Sequence, residues 1–114
     1  MAVVDAVHDL IEGSGTETNL AVALRSAFTE GGAGVWENAG KWLRKSSEDY
    51  PAVLDLWREF AAHASSNVRF RTACLLNDMP ASVFSTLAPA LCADRSKKVA
   101  AMAAARVSEL GSAA

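Results

Sequence analysis

The side chains able to do acid–base, nucleophilic or metal chemistry are few and scattered along this chain. Its two histidines, His8 and His63, and its two cysteines, Cys74 and Cys92, form no Cys-x-x-Cys pair and no His/Cys cluster with metal-site spacing. Both cysteines fall in apolar helical runs and read as buried, reduced thiols, with a disulfide between them as the alternative. His63 stands near the end of a helical segment, where a cation meets the negative end of the helix dipole. There is no Gly-x-Ser-x-Gly elbow, and the GGAG stretch at 31–34 lacks the preceding strand and the following Gly-Lys-Ser/Thr of a phosphate loop. Glu30, Glu37, Glu48, Asp49, Asp55 and Glu59 read as solvated faces and caps. Glu37 supports Lys41 four residues on, whereas Asp55 and Glu59 repel slightly. These residues predict no enzyme activity, no cofactor, no metal and no essential disulfide.

What remains is binding chemistry. Trp36 and Trp42 fall in one helical segment and Trp57 in the next. Trp36, Ala39 and Leu43 share a face, which is the pattern of core packing; a tryptophan at a wet edge is also a frequent interface anchor. Basic side chains gather in three places: Lys41, Arg44 and Lys45; Arg69 and Arg71; Lys97, Lys98 and Arg106. Such cations either keep a helix face in water or form a stripe that suits an acidic partner surface or a phosphate backbone. The net charge of −2 speaks against a general nucleic-acid binder, which is usually strongly basic.

Helices must hold these residues. Of the 114 residues, 51% are hydrophobic but 23 are Ala, so the core is made of small side chains with few large anchors. Ala is the best helix former, and close helix packing follows from it more readily than a sheet. This length predicts one domain, hiding roughly two-thirds of its unfolded surface. Apolar spacing predicts a leading helix at 2–12 on Val3, Ala6, Val7 and Leu10, then helices at 19–30, 34–46, 50–63, 66–78, 80–92 and 95–110. Gly31 and Gly32 stop one helix; Ser47 or Asp49 ahead of Pro51, then Ser65, then Asp94 and Ser96, mark starts. Asp5, His8 and Asp9 interrupt the apolar start, and no run of 18 apolar residues exists, so a soluble cytoplasmic protein without membrane contact is expected.

An internal repeat runs through the second half. Val53, Leu56 and Phe60 recur 31 positions later as Phe84, Leu87 and Leu91, and Val68, Ala73 and Leu76 recur as Val99, Ala104 and Val107. An offset of 32 matches Leu24, Phe28, Trp36 and Leu43 to Leu56, Phe60, Val68 and Leu75. The pattern is therefore a leading helix (1–14), a degenerate helix pair (18–46), two better pairs (50–78 and 80–110) and a tail (111–114). Self-similarity at such a period marks stacked architectures, because no single unit buries its own face. The segment SSNVRFRTACLLND resembles the second helix of a HEAT-like repeat, in which a capped turn precedes Val-Arg, small residues and leucines. DRSKKVAAMAAARV is similar, with Lys98 ahead of its Val and Ala100 in place of Arg69. The spacing is that of the short HEAT-like units in phycobilisome-lyase-type repeats. The resemblance implies an all-α fold, a small right-handed solenoid of about three helix pairs, with Arg69 bonded to a neighbouring repeat.

Second helices line the inner surface of such a stack, which places the expected partner-binding residues at Trp36, Lys41, Arg44, Arg71, Asn77, Asp78 and Lys98. The function expected is non-enzymatic protein binding. Its most specific form is a bacterial immunity-like protein that occludes a cognate toxin domain, with an adaptor or assembly factor as the alternative. HEAT-like folds also include alkylpurine DNA glycosylases, and Trp36, Trp42, Arg71 and Asp78 are similar in type to that cleft, but nucleic acid is the less expected partner for an acidic chain of this length.

Overall fold

A computed structural model describes residues 17–113, so the expected leading helix at 2–12 lies outside the described residues. Among the described residues there are six α-helices and no strand: α1 (Glu17–Glu30), α2 (Ala33–Ser46), α3 (Pro51–Ala61), α4 (Ser66–Cys74), α5 (Ala81–Cys92) and α6 (Lys97–Ala113). A single 3-10 turn, Leu76–Asp78, follows α4. The chain divides into two compact units, Met1–Leu56 and Trp57–Ala114, with the division falling inside α3.

In the first unit, α1 packs along α2. Leu20, Ala21, Leu24 and Phe28 repeat at helical spacing on α1 and are buried, as are Ala39 and Leu43 on α2. Removing each large apolar side chain from water contributes about 1.5–3 kcal/mol. Only Gly31 and Gly32 join the two helices. The Gly31 N–H donates to the Ala27 carbonyl at 3.1 Å, and the Gly32 carbonyl accepts from Val35 and Trp36 at 3.0 Å, so one helix stops and the next starts within two residues. A Cβ on Gly31 would lie 2.5 Å from Val35 Cγ1 and closer still to the Ala27 carbonyl oxygen, so only glycine fits. At the far end of α2 the Ser47 hydroxyl donates to the Leu43 carbonyl, closing the helix where a start signal for α3 was expected. The Tyr50 carbonyl instead begins α3, accepting from Val53 and Leu54 at 3.0 Å with Pro51 in the first turn.

In the second unit, α6 packs against both α4 and α5 and against the 3-10 turn. Trp57, Phe60, Val68, Leu76, Val83, Leu91, Val99 and Ala103 are fully or almost fully buried. Two turns, after α3 and after α5, share one hydrogen-bond pattern 31 residues apart. Ala62 N–H donates to the Arg58 carbonyl and Ala93 N–H to that of Pro89; His63 donates to Phe60 and Asp94 to Leu91; Arg69 donates to Ser65 and Ala100 to Ser96. The starts of α3 and α5 do not keep that offset: α5 begins from Pro80, 30 residues after Tyr50. Val83 thus takes the buried position that Val53 holds in α3, and Phe84, expected there, is half-buried beside it.

The helix expected over 66–78 ends early, at Cys74. Its last turn opens into the 3-10 turn, and the Cys74 carbonyl is taken by Arg106 Nε of α6 at 3.0 Å. By contrast α6 runs to Ala113, past the expected end at 110.

Candidate partner-binding surface

The expected binding residues divide between the two units, with Trp36, Lys41 and Arg44 in the first and Arg71, Asn77, Asp78 and Lys98 in the second. On α2, burial of Ala39 and Leu43 turns Lys41, Arg44 and Lys45 outward, and all three are exposed. The Lys45 ammonium lies 5.1 Å from the centre of the Trp42 ring, a cation–π contact that fixes one of these cations on the surface. Trp36 is half-buried and meets Phe28 edge-on, with centroids 6.0 Å apart and planes at 88°. It is a packing residue with one wet edge.

In the second unit the cations behave in two ways. Arg69 does not belong to a surface stripe, because its side chain is 6% exposed. Its Nε donates to Asp94 Oδ2 at 2.8 Å and its Nη2 to Oδ1 at 3.3 Å; its Nη1 reaches the carbonyls of His63 (2.8 Å) and Ala64 (3.1 Å). The guanidinium thereby ties the α3–α4 turn to the α5–α6 turn. Asp94 also accepts the Ser96 N–H at 2.8 Å. Burial raises the affinity of the Asp94 carboxyl for a proton, but the hydrogen bonds from Arg69 and from the Ser96 N–H, with the charges of Arg69 and Arg95, outweigh it and hold its pKa below the ordinary value. In the α3–α4 turn the matching acceptor is His63 Nδ1, which receives the Ser65 N–H at 3.0 Å.

Lys98 is exposed, and its ammonium sits 4.3 Å from the centre of the Phe70 ring, joining α6 to α4. Asn77 is exposed on the 3-10 turn and donates to Glu109 Oε2 of α6 at 3.2 Å, while Arg106 Nη1 holds Glu109 Oε1 at 3.0 Å. Lys98 and Asn77 therefore mark the two ends of the packed α4–α6 edge, about 16 Å apart along α6. Arg71 and Asp78 are half-buried on the same chain segment.

Sequence reasoning passed over the Arg69–Asp94 pair as such, because its members lie 25 residues apart; the turns' matching positions are the signal that links them. It also passed over an open apolar groove of about 290 Å3 between α5 and α6, lined by Phe84, Ser85, Ala88, Pro89, Cys92 and Val107. Cys74 and Cys92 are free thiols, half-buried and not bonded to each other. Among the described residues no three His, Cys, Asp or Glu side chains gather where a metal could bind, and no helix is long and apolar enough to cross a membrane. No protein-family model, curated protein or solved structure matches the chain.

Proposed function

We propose that this chain is a non-enzymatic protein-binding module of stacked HEAT-like helix pairs, and that it engages an acidic protein surface through the second helices of its pairs. The observation that carries the reading is the placement of the cations: Lys41 and Arg44 stand exposed on α2, and Lys98 is exposed on α6 against Phe70. The turn pattern that recurs 31 residues apart supports the repeat part of the reading. A protein whose short loops leave its second helices free to present cations suits occlusion of another domain, and the most specific form proposed is immunity-like neutralisation of a cognate toxin in the bacterial cytoplasm.

The test starts with a pulldown from the native host and continues with titration of the recovered protein. Lys41→Glu, Arg44→Glu and Lys98→Glu together should weaken the complex at least tenfold while the circular dichroism spectrum stays helical. The loss should shrink as salt rises, because screening removes the attraction that the reversal abolished. An unchanged affinity in the reversed protein would move the interface off the second helices.

A further inference from the structure

We propose that the open face of α5 and α6 is a self-association surface, occupied by the same face of a second copy of this chain. The face is built around the apolar groove that Phe84, Ala88 and Cys92 of α5 form with Val107 of α6. Thirty-one residues earlier, Leu76 stands for Val107 and is fully buried. The turn carrying Leu76 is covered by α5 and α6 themselves. On α6 the matching place is open, with Val107 37% exposed and Leu110, one turn on, 41% exposed. Apolar side chains grouped this way in water favour association.

Charge selects the occupant. The whole of α5, ASVFSTLAPALC, contains no charged residue, and what it exposes is Ala, Ser, Thr and Pro. In a two-fold interface each residue near the axis faces its own copy, so any charge there meets its like. A neutral face is one that two identical chains can share without that repulsion, whereas an acidic or basic partner gains no complementarity from it. The exposed cations of α2, Lys41, Arg44 and Lys45, in contrast, repel their own copies. This inference stands apart from the acidic-partner reading and does not depend on it.

The face is small, since 12 residues of helix span about 18 Å and a standard interface buries about 800 Å2 on each side. Association should therefore be weak and concentration-dependent. Sedimentation equilibrium of the wild type should show the mass rising from 12.0 kDa towards twice that value over about 10 µM to 1 mM. Ser85→Glu and Val107→Glu place a carboxylate at exposed positions of the face, so folding should survive, and both should hold the protein at the monomer mass; Lys41→Glu should not. In a Cys74→Ser background, the rate at which N-ethylmaleimide modifies Cys92 should fall several-fold over the same concentration range, and Val107→Glu should remove that protection. A wild-type mass fixed at the monomer value through 1 mM would overturn the proposal. So would a dimer that both glutamate variants leave intact, or a Cys92 rate indifferent to concentration.

Discussion

The turn after α3 and the turn after α5 have the same backbone and different chemistry. Each ends a first helix with the same pair of carbonyl contacts and begins a second helix from a serine carbonyl, 31 residues apart. Each also offers a side-chain acceptor to the N–H two residues on, but the acceptor is the His63 ring in one and the Asp94 carboxylate in the other. Four residues after the serine the first turn has Arg69, whose guanidinium bonds its own turn and reaches across to Asp94; the second has Ala100. Backbone geometry thus recurs wherever caps and apolar spacing recur, while the bond between the turns is made once and in one direction. The difference teaches that the repeat sets where a turn falls, and a single buried cation sets how two turns are held together.

Arg69→Ala should break that asymmetry with the largest effect. It strips the almost buried Asp94 of its cation and leaves the His63 and Ala64 carbonyls without their donor, so a loss of about 3–5 kcal/mol is expected, as for other buried pairs that lose one partner. Urea unfolding measures it. A loss under about 1 kcal/mol would mean that water satisfies Asp94 well enough, and that the two turns are held by apolar packing alone.

Asp94→Asn should cost less, about 1–3 kcal/mol at neutral pH, because the amide oxygen still accepts the Ser96 N–H while the ion pair is lost. The effect has a pH signature. With the folded Asp94 pKa held below its ordinary value, the unfolded chain takes up the proton first as pH falls. The stability this group provides is present above the ordinary aspartate value of about 3.9 and is lost as pH drops through the lowered folded value. The gap between wild type and variant should stay level from about pH 7 to pH 5 and close below about pH 4. A gap that persists undiminished at pH 2 would separate the cost of the substitution from the charge.

His63→Asp would sharpen the comparison by making the two turns alike. A carboxylate there can accept the Ser65 N–H as Asp94 accepts that of Ser96, and it adds a negative charge ahead of α4 and close to Arg69. A gain of about 0.3–1 kcal/mol is expected, read as a rise in Tm. A fall in Tm would show that the ring packs as well as accepts, and that the turns are equivalent in backbone only.

Much of the helical pattern is legible in the sequence. Leu20, Leu24 and Phe28, then Leu56 and Phe60, then Leu87 and Leu91 announce buried stripes by spacing alone, and all are buried. The glycine pair at 31–32 and the polar turns placed the breaks correctly, because those residues act locally. Three things were not legible. Adjacent Val83 and Phe84 are both apolar, so a one-residue slip at the start of α5 leaves no mark in the sequence. The run through Cys74, Leu75 and Leu76 has nothing that stops a helix; α4 ends there while its last carbonyl is taken by Arg106, 32 residues away. The resemblance implied a bond from Arg69 to a neighbouring repeat, but nothing in the sequence marks Asp94, 25 residues on, as its partner. Of the expected partner-binding residues, exposure of Lys41, Arg44 and Lys98 followed from their helix positions, whereas the ring beneath Lys98 and the Glu109 beside Asn77 come from the packing of α6.

The reach of Arg69 also sets an order in time. On the ribosome, the His63 and Ala64 carbonyls precede Arg69 and are at hand as soon as it emerges, but Asp94 follows 25 residues later. At about 5–20 residues per second that is a wait of roughly 1–5 s. During it the carbonyls of His63 and Ala64 have been made, and the carboxylate that answers the charge has not. The ion pair is therefore a late clasp, closed only when the turn that begins α6 has left the exit tunnel, and a chain stalled before Asp94 lacks it.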